Sequence, residues 1–257
     1  MWDWISTLSR LQQQSIPFAL VTIIDDTGST PRNIGAKMVV VEGGEFYGTV
    51  GGGNLEKMVL EAAVECLEQG QSKMVSISLG AQAGQCCGGV VDLFIEVHGR
   101  RPTVFIFGAG HVGQALAQVL IGTPFVVQLI DQRSDWPKEI IGPEIKIIKE
   151  NPLEIIKNLN FNQNLSYVVI LTHSHDLDFQ LLSSILDFPT KYVGVIGSLT
   201  KWHRFKKRLM EFGHDQAKWE KVKCPIGITI GGKSPKEVAI SIAAELLSVC
   251  NDKQLKE

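Results

Sequence analysis

Phe107-Gly108-Ala109-Gly110-His111-Val112-Gly113 is the stretch that decides the fold. It follows an apolar run at 104–107 and opens a segment, 112–120, whose apolar residues recur at helical spacing. A G-x-G-x-x-G string alone says little, but between a strand and a helix it reads as the first turn of a doubly wound, Rossmann-like parallel sheet. Gly108, Gly110 and Gly113 then allow a tight turn, close approach of the backbone to a ligand, and close packing of helix on strand. The helix start offers N–H groups that lack intrahelical partners, which suits a phosphate. A second apolar run, 126–130, ends at Asp131, where such folds carry the acid that accepts ribose hydroxyls. The alternative is a Rossmann-like domain kept for packing or for holding a partner.

Further along, apolar strands at 145–148, 167–171 and 192–196 alternate with helices at 153–158, 179–186, 201–212 and 235–249. The last helix carries a full start signal in Ser234, Pro235 and Glu237. In a doubly wound sheet the carboxyl ends of the strands share one edge, so the 108–113 turn, Asp131, Thr172-His173-Ser174-His175-Asp176 and Gly197-Ser198 should converge there. His173 is a candidate ligand contact or proton donor, and His111, inside the turn, would favour its charged form beside a phosphate. His173, His175, Asp176 and Asp178 are residue types that bind metals, but their spacing does not fit an H-x-H-x-D-H pattern. Lys201, Arg204, Lys206, Lys207 and Arg208 make one helix basic opposite Trp202, Phe205, Leu209 and Phe212, and read as a solvated face.

The first hundred residues follow a different pattern. Ile5, Leu8 and Leu11 mark a short helix that Pro17 stops, and 18–24 reads as a buried strand before a polar loop at 25–32 that includes Arg32. Strands at 37–41 and 46–50 flank Gly43-Gly44, Gly51-Gly52-Gly53 leads into a helix at 54–69, and strands follow at 73–78 and 90–97. With Gly99-Arg100-Arg101-Pro102 as linker, an α+β domain at 1–99 precedes a Rossmann-like domain at 103–257.

Gly84-Gln85-Cys86-Cys87-Gly88-Gly89 stands just before that linker. Consecutive α-carbons lie about 3.8 Å apart, too close for an ordinary bridge, so Cys86 and Cys87 are candidate thiolates, and the glycines around them would let a ligand come close. The plainer alternative is two small residues buried at the start of a strand. Cys66 and Cys250 fall in apolar helical patterns and read as core.

Composition narrows the rest. A formal charge of −2 gives no general attraction to nucleic acid or membrane, so the partner is expected to be a small molecule or a protein. The chain has no spanning apolar run, its start lacks a signal peptide's basic residues, and its five cysteines do not form a disulfide framework, which together predict a cytoplasmic protein.

In combination these segments resemble the XdhC family, the accessory proteins of xanthine dehydrogenase and related molybdenum hydroxylases. The resemblance rests on Gly28-Ser29-Thr30-Pro31-Arg32, Gly48-Thr49-Val50-Gly51-Gly52-Gly53, the Cys86-Cys87 segment, the 107–113 turn with Asp131-Gln132-Arg133, Leu171-Thr172-His173-Ser174-His175-Asp176, 194–198 with Thr200-Lys201-Trp202, and Pro225-Ile226-Gly227. It implies a chaperone rather than a catalyst, one that binds the molybdenum cofactor (molybdopterin), keeps it while a cysteine desulfurase supplies sulfur, and aids insertion into the hydroxylase; a homodimer is compatible with it. On that footing the 108–113 turn would take the pterin phosphate, Cys86 or Cys87 the metal end, and Arg32 with Gly51, Gly52 and Gly53 would close the pocket. The competing class is an NAD(P)-dependent oxidoreductase using His173 or His175 as proton donor.

Overall fold

The computed structural model describes residues 4–14, 16–80, 88–133, 142 and 144–251; Cys86 and Cys87 lie outside them. The chain divides into two compact units, Met1–Arg100 and Arg101–Glu257. Among the described residues no helix is long and apolar enough to cross a membrane.

In the first unit the elements run α1 (Trp4–Gln13), β1 (Phe18–Thr27), β2 (Lys37–Val41), β3 (Phe46–Gly48), α2 (Gly53–Gln69), β4 (Lys73–Ser78) and β5 (Val90–His98). The strands form one antiparallel sheet in the order β3-β2-β1-β5-β4. Side chains alternate across a strand, so Ala19, Val21, Ile23, Met38 and Val40 meet Leu55, Val59 and Ala63 of α2, while Phe18, Val39 and Val41 face Leu11 of α1. Ile5, expected on the apolar stripe of α1, is 62% exposed. The polar loop expected from residue 25 begins later, because β1 continues through Asp25, Asp26 and Thr27 against Asp92, Val91 and Val90. A register shift between Ile23 and Asp25 accommodates the extra residue, as a bulge does.

The second unit contains β6 (Thr103–Phe107), α3 (His111–Val119), β7 (Val126–Ile130), β8 (Ile145–Ile148), α4 (Pro152–Ile155) with a 3-10 turn at Ile156–Asn158, β9 (Ser166–Ile170), α5 (His175–Ile185), β10 (Tyr192–Val195), α6 (Leu199–Glu211), α7 (Gln216–Trp219) and α8 (Pro235–Asn251). Its sheet is parallel, in the order β10-β9-β6-β7-β8, so the chain winds one way from β6 and then back the other. The strand order therefore reverses between β6 and β9, and in open α/β sheets ligands bind outside the strand ends at such a point. Helices cover both faces, which is why these strands read as continuous apolar runs. Phe105, Phe107, Val168 and Ile170 pack with Phe179 of α5 and Phe205 of α6; Val104, Ile106 and Val169 pack with Leu116 of α3 and Ile242 of α8.

Helix starts follow their caps more closely than their apolar periodicity. α5 begins four residues before the expected 179, because Ser174 accepts from the Leu177 N–H and Asp176 and Asp178 fall in the first turn. At α8 the capping box is complete: Ser234 N–H and Oγ donate to Glu237 at 2.9 and 2.6 Å, and Glu237 N–H returns to Ser234 Oγ at 3.4 Å.

Candidate functional site at the strand ends

The three glycines of the turn after β6 have different jobs. Gly108 has φ +115°, a region that disfavours other residues, and a Cβ there would collide with the Leu171 carbonyl at the end of β9. A Cβ at Gly113 would collide with the Gly108 carbonyl, so this glycine lets α3 sit on the turn. Gly110 is different. Its φ is −67°, and a Cβ there would meet no atom within 4 Å among the described residues. As the N-cap of α3 it brings no side chain to cap the helix. Neither φ nor internal packing demands glycine at this position, and the space a side chain would take lies at the helix start. His111 is the first residue of α3 and is exposed.

Asp131 follows β7 and is buried. Its Oδ1 accepts from the Arg133 N–H at 3.0 Å and Arg133 Nε at 2.9 Å; its Oδ2 accepts from the Ala109 N–H at 2.8 Å and Arg133 Nη2 at 2.6 Å. Burial alone would raise its pKa, but the Arg133 side chain, the two N–H groups and the guanidinium charge outweigh that and hold the carboxyl below its ordinary value. The residue expected to receive a ribose thus ties the 108–113 turn to its own strand end.

A buried ion pair that the sequence reading missed stands behind the next strand end. Lys201 Nζ donates to Asp178 Oδ2 at 2.6 Å and to the Ile196 carbonyl at 2.7 Å. Asp178 Oδ1 accepts from the Thr172 hydroxyl at 2.7 Å and the Thr172 N–H at 2.9 Å. Asp178 is 1% exposed and Lys201 7% exposed, so the reading of Lys201 as part of a solvated basic face is corrected: it tucks under the chain where Gly197 leaves room, a Cβ there colliding with the lysine stem. Lys207 and Arg204 are exposed as expected, while Arg208 stacks over Phe179 and pairs with Asp176 at 3.0 Å. With Asp178 and Asp176 so engaged, the 173–178 segment brings no metal-binding group together; among the described residues no cluster of three His, Cys, Asp or Glu side chains could hold a metal.

Part of the expected set meets at the strand ends, while Gly197 and Ser198 do not line the crevice there. Gly108, Asp131, Gln132, Pro152, Thr172 and His173 line a crevice of about 10 Å³, room for about one water. His173 is exposed at its rim. A larger hollow of about 400 Å³ lies at the opposite edge, beside Lys191 and Tyr192 at the start of β10, where a doubly wound sheet does not bind its ligand.

In the first unit, Gly51 and Gly52 are already engaged by the chain. Gly51 N–H donates to Thr49 Oγ1 at 3.2 Å and Gly52 N–H to Glu56 Oε1 at 3.0 Å. A Cβ at Gly51 would strike Pro31, whereas one at Gly52 would be clear. Arg32 and Gly53 are exposed. After the cysteines, Gly89 is needed by the fold itself, since a Cβ there would lie 2.6 Å from the Ser29 carbonyl oxygen and 2.7 Å from that of Thr27. The site reading of Cys86 and Cys87 falls outside the described residues.

Comparison with known proteins agrees with this architecture. Residues 104–246 match the XdhC Rossmann domain, and residues 11–78 match the XdhC and CoxI family. The Escherichia coli protein YqeB is 33% identical over 95% of the chain, which spans only 46% of YqeB's length. The molybdenum cofactor insertion chaperone PaoD, also from Escherichia coli, is 22% identical over 90% of the chain and 82% of its own length. A crystal structure of a xanthine dehydrogenase from Bacillus halodurans superposes with a TM-score of 0.54 at 20% identity, covering 99% of this chain and 97% of that one, and so shares the fold.

Proposed function

The chain belongs to the XdhC and CoxI family, and from that premise we propose that it is a molybdenum-cofactor chaperone: it binds the cofactor as cargo, shields it during sulfuration by a cysteine desulfurase, and hands it to a xanthine dehydrogenase or related molybdenum hydroxylase. Gly110 carries the reading on the structural side. Gly108 and Gly113 are required by the chain's own packing, but among the described residues no atom lies within 4 Å of where a Cβ at Gly110 would stand, at the start of α3. A bound phosphate accounts for a glycine there, because a side chain would occupy the place where the helix N–H groups meet an anion. His111 and His173 flank the same edge and would contact the pterin end. For the sulfur-rich metal end the proposal keeps Cys86 and Cys87, thiolate being a fitting ligand for a soft metal centre. The molybdenum-chaperone relative supports the choice of cargo.

The test compares two glycines. Gly110→Val should leave the thermal midpoint near that of the parent yet weaken binding of the isolated cofactor at least tenfold in a titration, roughly what losing one or two charge-assisted hydrogen bonds gives. Gly108→Ala should instead unfold the second unit at lower temperature. Unchanged cofactor affinity in Gly110→Val would place the cargo elsewhere. For the cysteines, Cys86→Ser and Cys87→Ser should differ in cofactor retention, since adjacent side chains in extended backbone point to opposite faces; if both retain and deliver cofactor like the parent, the pair plays no part in holding it.

A further inference from the structure

We propose that Arg133 is a specificity-determining residue that closes this Rossmann crevice to nicotinamide dinucleotides by occupying the acid that would otherwise read their ribose. In dinucleotide folds the acid at the end of the second strand accepts hydrogen bonds from ribose hydroxyls. Asp131 stands at that position, at the end of β7 beside the glycine turn. Its carboxylate has about four acceptor sites. All four are taken: two by the N–H groups of Ala109 and Arg133, and two by the Arg133 guanidinium, at 2.9 Å to Oδ1 and 2.6 Å to Oδ2. The planar fork matches the carboxylate edge on, which is the strongest way to hold it.

The geometry also says what the arginine side chain keeps out. The two backbone bonds would survive its removal, one on each oxygen. The two guanidinium bonds are likewise one on each oxygen, so their loss frees one acceptor per oxygen, which is what a ribose diol needs for its two hydroxyls. With the fork in place a ribose meets a saturated carboxylate. A ligand that brings a phosphate to Gly110 and no ribose to Asp131 meets no such obstacle. The inference depends on this edge being the ligand site, and not on which phosphorylated ligand occupies it.

An arginine near this acid has a second possible use, since some dinucleotide folds employ one to hold the 2′-phosphate of NADP. The two roles predict opposite results. The experiment titrates the full chain with NADH and separately with NADPH, following cofactor fluorescence, for the parent, Arg133→Ala and Arg133→Gln, with a thermal melt of each. The glutamine variant keeps bulk without the charge and serves if alanine destabilises the strand end. The expected result is no saturation of the parent by NADH and at least about tenfold tighter NADH binding by a folded variant, the gain two new bonds to a carboxylate should give. NADH binding by the parent as tight as by the variants, or folded variants that gain nothing, would overturn the proposal. So would tight NADPH binding by the parent that the variants lose, because Arg133 would then be a phosphate ligand. The cofactor titration of the parent is independent: failure there with a gain of NADH binding in the variants would sink the chaperone reading and leave this one standing.

Discussion

Replacing Lys201 by methionine would remove one partner of an ion pair that scarcely meets solvent. The remaining donors to Asp178, the Thr172 N–H and hydroxyl, both reach Oδ1, so among the described residues Oδ2 loses its hydrogen-bond donor inside the protein. The Ile196 carbonyl loses the Lys201 ammonium as well. Breaking a buried pair by deleting one side costs about 3–5 kcal/mol. A domain the size of the second unit moves by about 2–4 °C per kcal/mol, so its melting midpoint should fall by roughly 6–20 °C. Adding Asp178→Asn should recover much of this, because the amide oxygen still accepts from Thr172 while the uncompensated charge is gone. Calorimetry on parent, single and double variants decides. A fall below about 4 °C for Lys201→Met, the most that a solvent-exposed pair gives, would mean that the lysine lives in water and that the strand ends are held some other way.

Two further outcomes follow from ionisation. Asp131 has a folded-state pKa below its unfolded value, so its contribution to stability is present above the unfolded value, about 3.9, and disappears as pH falls through the folded one; Asp131→Asn should therefore flatten the acid limb of a stability–pH curve, and identical limbs would show that the carboxylate's bonds do not form in solution. At Cys224, burial pushes the thiol up to about 11, with Lys201 pulling it down and Asp178 raising it again. Iodoacetamide near neutral pH should accordingly spare Cys224 in the folded protein and modify it in urea, as read by peptide mass spectrometry, and rapid native labelling would contradict its burial.

The sheet of the second unit was legible because strands buried on both faces are apolar throughout and helices lined by one core keep a 3.6-residue period. Contacts between residues distant in the chain were not. Lys201 and Asp178 are 23 residues apart and meet only because β9 and β10 are neighbours. One local signal existed: Lys201 precedes Phe205 and Leu209 by one and two helical steps of four, which puts it on the buried stripe of α6. A charge on such a stripe reads as an exception to the pattern, whereas a lysine there needs a buried acid. Arg133 shows the converse. Asp131 was recognisable by its place at a strand end, but its engagement by a residue two positions later depends on how the chain leaves β7, and no periodicity records that.

Polar residues at the carboxyl ends of strands overstate a ligand site, because the next helix claims many of them. Ser174 caps α5 and Ser198 caps α6 through the Leu177 and Lys201 N–H groups. Thr172 holds Asp178, Asp131 holds the glycine turn, and Gly197 makes way for the lysine stem. Each would count as a site residue on sequence position alone, yet each has a demand placed on it by the fold. Gly110 is set apart because the described chain makes no comparable demand on it, while His111 and His173 stand exposed on the same edge. A substitution at one of the fold-bound positions should alter stability before affinity, whereas one at Gly110 should alter affinity with little change in stability, and that difference separates a ligand edge from a well-packed one.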